Sequence, residues 1–174
     1  MAPLDTAGMH ADTIEQLHKY EVSDDEIQQV LTVARAGMSE QDCVEIIRIA
    51  RSRHRSFAEA EPIAGLLGAG VKESSVLELL RMEQLALFGG EAEAMHLAGI
   101  SDDVVLELAR RKAKGEAAVS GSRLAELRNV GFSNTELMAV LQRGTTDRQA
   151  EQAIASRKYA LSGHSFVRQT GRRR

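Results

Sequence analysis

Apolar residues along the chain fall three and four positions apart, in blocks of about ten residues divided by short polar turns. Cys43, Val44, Ile46 and Ile47 form one block, and Val76, Leu77, Leu79 and Leu80 a second. Val105, Leu106, Leu108 and Ala109 form a third, and Leu137, Met138, Val140 and Leu141 a fourth. Residues so spaced share one face of a helix. The alternation of a half-buried strand is absent. The pattern predicts an all-α fold, an array of about ten short helices in helix-turn-helix repeats. The helices are expected near 11–20, 24–36, 40–54, 57–67, 73–88, 91–98, 102–114, 121–129, 134–143 and 147–161.

The turns repeat as well. Ala36-Gly37-Met38-Ser39, Ala69-Gly70-Val71-Lys72, Ala98-Gly99-Ile100-Ser101 and Val130-Gly131-Phe132-Ser133 each precede an apolar block that ends in arginine: Arg48, Arg81, Arg110 and, one place later, Arg143. A weaker copy, Glu21-Val22-Ser23, lacks the glycine. The glycines recur about every 30 residues, the range of two-helix repeat units. Glycine suits the left-handed residue that ends a helix. The apolar residue after it can fold back on the preceding turn or staple the next helix, and serine is a good N-cap. Ser23 with Glu26, Ser133 with Glu136 and Thr146 with Gln149 have capping-box spacing. Asp24, Asp25, Asp102 and Asp103 place negative charge in first turns, where the helix dipole favours it.

Gly89-Gly90 and the stretch from Gly115 to Gly121 read as the loosest joints. The expected organisation is an acidic helical repeat region over 1–114, a three-helix unit over 115–161 that continues the array, and a basic tail over 162–174. The tail has no apolar stripe and is expected to be extended or disordered in isolation.

The net charge of −3 hides an uneven distribution. Residues 1–109 carry about 20 acidic and about 8 basic side chains; residues 110–174 carry about 14 basic and about 5 acidic. The candidate partner-binding residues are therefore Arg110, Arg111, Lys112, Lys114, Arg157, Lys158, Phe166, Arg168, Arg172, Arg173 and Arg174. A basic segment of this kind suits an acidic protein, nucleic acid or an anionic surface. Cys43 is the single cysteine, so no intramolecular disulfide forms. The sequence has no apolar stretch of membrane-spanning length and no basic-apolar leader, which makes a cytoplasmic protein the expectation.

The run Leu97-Ala98-Gly99-Ile100-Ser101-Asp102-Asp103-Val104-Val105 resembles helical hairpin repeats of uncharacterised bacterial proteins, over most of 20–143. That resemblance implies a fold and no activity. Residues 122–157 resemble ubiquitin-associated domains: Leu124-Ala125-Glu126-Leu127-Arg128-Asn129 looks like the first helix, and Val130-Gly131-Phe132 the loop, with valine where methionine is usual. The resemblance implies ubiquitin contacts through that loop and the third helix.

Chemistry is sparse. His10, His18, His54, His96 and His164 are scattered without metal-ligand spacing. Cys43 occupies an apolar helix position. Gly65-Leu66-Leu67-Gly68-Ala69-Gly70 lacks the strand before it and the Lys-Ser pair after it that a phosphate loop needs. No metal or other cofactor and no enzymatic activity are expected. The expected function is protein–protein interaction or scaffolding, including self-association, with the arginine-rich tail as a docking segment; the alternative is nucleic-acid binding or regulation through the basic C-terminal half.

Overall fold

A computed structural model describes residues 9–169. Among them it is all-helical, with α1 (Ala11–Lys19), α2 (Asp24–Arg35), α3 (Glu40–Ser52), α4 (Ala60–Ala69), α5 (Glu73–Arg81), α6 (Leu85–Leu97), α7 (Asp102–Ala113), α8 (Gly121–Asn129), α9 (Asn134–Gln142) and α10 (Asp147–Gln169).

Each of the first nine helices ends on a residue with positive φ: Glu21, Gly37, His54, Gly70, Glu83, Gly99, Gly115, Gly131 and Gly144. These residues lie 16, 17, 16, 13, 16, 16, 16 and 13 positions apart. The repeating unit is thus a single helix and turn, and the thirty-residue interval of the glycine copies is two such units. The amide two places beyond the last helical turn closes most of these ends: Met38 N donates to Val33 O at 3.3 Å, Val71 N to Leu66 O at 3.0 Å, Ile100 N to Met95 O at 3.1 Å and Phe132 N to Leu127 O at 3.1 Å. This is the Schellman pattern, and it explains the apolar residue after each glycine, which sits over the apolar residue whose carbonyl it satisfies.

The chain divides into two compact units, Met1–Glu93 and Ala94–Arg174, with the division inside α6. In the first unit α1 packs beside α3, α3 beside α5, and α2 beside α4. In the second, α7 packs beside α9 and α8 beside α10. These pairs join helices two apart in the chain, so in the first unit α1, α3 and α5 form one row and α2 and α4 another. The stripes read from the sequence face inward: Val30, Cys43, Ile46, Ile63 and Leu79 are fully buried in the first unit, Leu108, Leu124, Leu127 and Leu137 in the second.

Two side-chain devices repeat with this packing. In the first, the opening residue of one helix accepts from the N-cap amide of the helix two before it. His10 N donates to Glu40 Oε2 at 3.1 Å, Ser39 N to Glu73 Oε2 at 2.9 Å, Ser101 N to Asn134 Oδ1 at 3.0 Å and Ser120 N to Asp147 Oδ1 at 2.7 Å. In the second, an arginine reaches a neighbouring helix end and satisfies its carbonyls. Arg51 Nε donates to Tyr20 O at 3.0 Å, Arg53 Nη1 to Leu80 O at 2.8 Å, Arg128 Nε to Gly99 O at 3.1 Å and Arg157 Nη2 to Gly131 O at 3.4 Å. Both ends of a helix carry orphan polar groups, so each device holds neighbouring helices of one unit in register.

Three sequence expectations need correction. The helix expected over 73–88 stops at Arg81, turns at Glu83 (φ 57°) and restarts at Leu85. The turn allows Leu85 and Phe88 to be buried. Gly89-Gly90 is no joint but lies inside α6. A Cβ on Gly89 would sit 3.3 Å from Pro62 Cβ of α4, so this glycine permits close approach. Finally, α10 runs on to Gln169 where a helix ending at 161 was expected. Ser162 Oγ donates to Lys158 O at 2.9 Å, so its hydroxyl is accommodated within the helix. The remainder of the expected tail, residues 170–174, lies outside the described residues.

Candidate functional site

The basic residues singled out by sequence occupy two helices. Arg110, Arg111 and Lys112 form the last turn of α7, and Lys114 caps it. Cations there oppose the negative end of the helix dipole. Arg111 Nε pairs with Glu107 Oε1 at 2.8 Å, and Arg110 lies 3.8 Å from the same carboxylate. Lys112 lines a shallow pocket of about 360 Å³ with Gly115, Val119, Ser120 and Asp147, the first residue of α10. The end of α7 and the start of α10 therefore share this pocket.

Arg157 and Lys158 stand on α10, where the helix leaves its packing. Ala150 and Ile154 are buried, whereas every residue from Ala155 to Ser162 is exposed. Arg157 bonds to Gly131 O, lies 5.0 Å from the centre of the Phe132 ring and 3.9 Å from Glu136. Its cation–π contact and carbonyl bond tie the arm to its base. Lys158 is exposed, and beside it Tyr159 is 84% and Leu161 60% exposed. The side chains of Phe166 and Arg168, and the residues Arg172, Arg173 and Arg174, lie outside the described part of the structure. Val130 and Phe132, the positions matched to the ubiquitin-associated loop, are half-buried, and Gly131 has φ 95°.

No family model, curated protein or solved structure matches the chain. Neither the hairpin-repeat nor the ubiquitin-associated resemblance gains support from comparison.

The groups capable of chemistry have structural partners. Cys43 is fully buried, and burial together with Asp42 and other nearby carboxylates pushes its thiol up to about 12. That opposes nucleophilic use, since the thiolate is the reactive form. His10 Nδ1 lies 2.8 Å from Glu40, and Thr13 donates to the same carboxylate. These hydrogen bonds raise the imidazole's pKa and lower the carboxyl's. Asp42 is raised, first by burial and then by its neighbour Glu73, while Glu73 is lowered chiefly by the Ser39 amide. That carboxylate pair belongs to the helix-start ladder. No group of three or more His, Cys, Asp or Glu suited to a metal occurs among the described residues. No described helix is long and apolar enough to cross a membrane.

Sequence reasoning passed over a second kind of surface, the grooves between adjacent odd helices. One between α1 and α3 is lined by Gln16, Tyr20, Gln41, Val44, Glu45 and Arg48. Another between α3 and α5 is lined by Glu45, Arg48, Ile49, Ser52, Arg53 and Arg81. In the second unit a groove between α7 and α9 is lined by Ser101, Asp103, Asn134, Thr135, Met138 and Gln142. The signal was present in the repeat: Glu45 and Arg48, Glu78 and Arg81, and Glu107 and Arg110 occupy equal positions after Gly37, Gly70 and Gly99.

Proposed function

We propose that the chain is a non-enzymatic protein-interaction module that docks an acidic partner through the projecting part of α10. The observation that carries the reading is the exposure of every residue from Ala155 to Ser162. A helical segment without a packed face gains little from tertiary burial, the main source of helix stability in proteins. A partner supplies the missing face. Tyr159 and Leu161 provide apolar area, and aromatic side chains are favoured at interface centres. Lys158 and Arg157, with the arginines that follow in the sequence, select for negative charge and speed encounter.

A photo-crosslinking side chain at Tyr159, introduced in the native source, tests the reading. Adducts should concentrate on one acidic protein, fall when Lys158→Glu is added, and fall again at high salt. Diffuse adducts, equal to those from a probe at exposed Gln142, would overturn it. The excess of basic residues beyond 109 favours a second reading, nucleic-acid binding. It requires a gel shift that weakens steeply with salt and is reduced in a chain ending at Ser162.

A further inference from the structure

We infer that the α1, α3 and α5 face of the first unit binds an extended acidic peptide, with Arg48 and Arg81 reading a carboxylate. This site is separate from the α10 arm and stands on different observations. The α1/α3 groove, about 630 Å³, and the α3/α5 groove, about 440 Å³, share Glu45 and Arg48, so they form one channel across α3.

At its centre one carboxylate serves two guanidinium groups. Arg48 Nη2 lies 2.7 Å from Glu45 Oε2, and Arg81 Nη2 lies 2.8 Å from Glu45 Oε1. Each arginine engages Glu45 through a single nitrogen, although guanidinium carries five N–H donors arranged for two-point binding of carboxylate. The two side chains are 63% and 51% exposed. Arg53, the third arginine on the channel, is held by the carbonyls of Leu80 and Arg81 and by Glu83 at 3.2 Å. Glu45, Arg48 and Arg81 together carry one positive charge in excess, on the α3 and α5 side of the channel, while Glu40 lines its α1 side. A second carboxylate would give Arg48 and Arg81 one anion each.

The rest of the channel suits a polypeptide. The side-chain amides of Gln16 and Gln41 make no hydrogen bond among the described residues, and each offers both a donor and an acceptor to an extended backbone. Tyr20 and Val44, both half-buried, supply apolar surface. Three adjacent helices at 8–10 Å spacing span about 20 Å, the reach of roughly six extended residues.

The test uses the full chain and a fluorescein-labelled eight-residue peptide of alternating leucine and glutamate, with a glutamine-for-glutamate peptide as control. Anisotropy should show saturable binding of the glutamate peptide and at least tenfold weaker binding of the control. Arg48→Gln and Arg81→Gln should each weaken binding at least tenfold, whereas Arg143→Gln should not. Because a variant can also disturb the Glu45 pair, the Nε–Hε signals of Arg48 and Arg81 in the unmutated chain should shift on titration. Equal binding of the two peptides, no binding up to millimolar concentration, or unmoved arginine signals would overturn the inference. So would loss of binding in Lys158→Glu, which would assign the peptide to the α10 arm, or competition by a single-stranded oligonucleotide.

Discussion

Glu26→Gln removes one charge from the first unit with almost no change in shape, and the structure fixes what it should cost. Glu26 is 4% exposed and accepts five hydrogen bonds. Oε1 takes Phe57 N and Arg51 Nη1, both at 2.8 Å. Oε2 takes Arg51 Nη2 at 2.8 Å, Ser23 N at 3.0 Å and Ser23 Oγ at 3.2 Å. Glutamine keeps one acceptor oxygen and replaces the other with an NH2 group. Whichever way the amide turns, that NH2 faces at least two donors. The Arg51 hydrogen bonds, set against burial and joined by the Phe57 and Ser23 amides, lower the Glu26 carboxyl from 4.5 to about 2. At about 1.4 kcal/mol per unit, the displacement corresponds to about 3 kcal/mol. Breaking one side of a buried ion pair typically costs 3–5 kcal/mol, so two routes reach a similar figure.

The pH dependence separates this ion pair from simple loss of packing. The carboxyl is depressed in the folded state, so its stabilisation is full above pH 4.5 and is lost as pH falls through about 2. Urea denaturation followed by far-UV circular dichroism should show Glu26→Gln about 3 kcal/mol less stable at neutral pH. The gap should narrow steadily between about pH 5 and pH 2, because only the parent chain loses the interaction. Adding Arg51→Gln should recover part of the loss by removing the cation left half-buried without its partner. A neutral-pH difference below about 1 kcal/mol, or a gap that stays constant with pH, would refute the reasoning.

Four other perturbations follow from the turns and the packing. His54 has φ 55°, a conformation that disfavours side chains by roughly 1–2 kcal/mol, so His54→Gly should stabilise the chain by about 0.5–1 kcal/mol in the same urea assay. Gly90→Ala in α6 meets nothing within 4 Å and should stabilise by about 0.5–1 kcal/mol, whereas Gly89→Leu must push against Pro62 and should destabilise by about 1–3 kcal/mol. Asp147→Ala removes the acceptor for both Ser120 N and Ser120 Oγ and should lower stability by about 1 kcal/mol, with Asp147→Asn recovering most of it. Cys43, fully buried and pushed up to about 12, should react with a thiol reagent only as fast as the first unit opens, so its labelling rate should rise in parallel in Glu26→Gln.

The helix starts were legible because their chemistry is local. Ser23, Ser39 and Ser133 each accept from the amide three residues on, as serine before an apolar block predicts. Ser101 is the exception: it occupies the N-cap without a side-chain bond to its own helix. Its amide is taken by Asn134, 33 residues away, a partner no local rule supplies. Of the helix ends without glycine, those before Glu21 and His54 fall within two residues of the expected positions 20 and 54, and the one before Glu83 was missed. Glu21, His54 and Glu83 adopt the same left-handed turn, and sequence alone could not reveal residues accepting a strained conformation. Gly89 and Gly90 show the reverse error, since a glycine pair reads as a joint whether it relieves a turn or admits a neighbouring helix. For the candidate site, charge located the basic end of α7 and the basic residues of α10. It could not distinguish Arg157, bonded to Gly131, from exposed Lys158, because that difference depends on where α10 leaves its unit.

The helix-start ladder also bears on how copies of this chain could associate. In α1, α3, α7 and α8 the N-cap amide is taken by the helix two places further on, at His10, Ser39, Ser101 and Ser120, whereas in α2, packed beside α4, Ser23 N stays with Glu26 of its own helix. The N-caps of α9 and α10 likewise close on themselves. Ser133 N donates to Glu136 Oε2 at 2.7 Å, and Thr146 N to Gln149 Oε1 at 2.9 Å. A further helix arriving beside α9 or α10 would find both amides already satisfied. Arg148, Gln149, Glu151 and Gln152 of α10 are polar and exposed. Packing another copy over them would bury those polar groups without offering them partners, at about 1–3 kcal/mol for each one left unsatisfied. On the proposed reading, a partner meets no such penalty at Tyr159 and Leu161, which offer exposed apolar area on the arm.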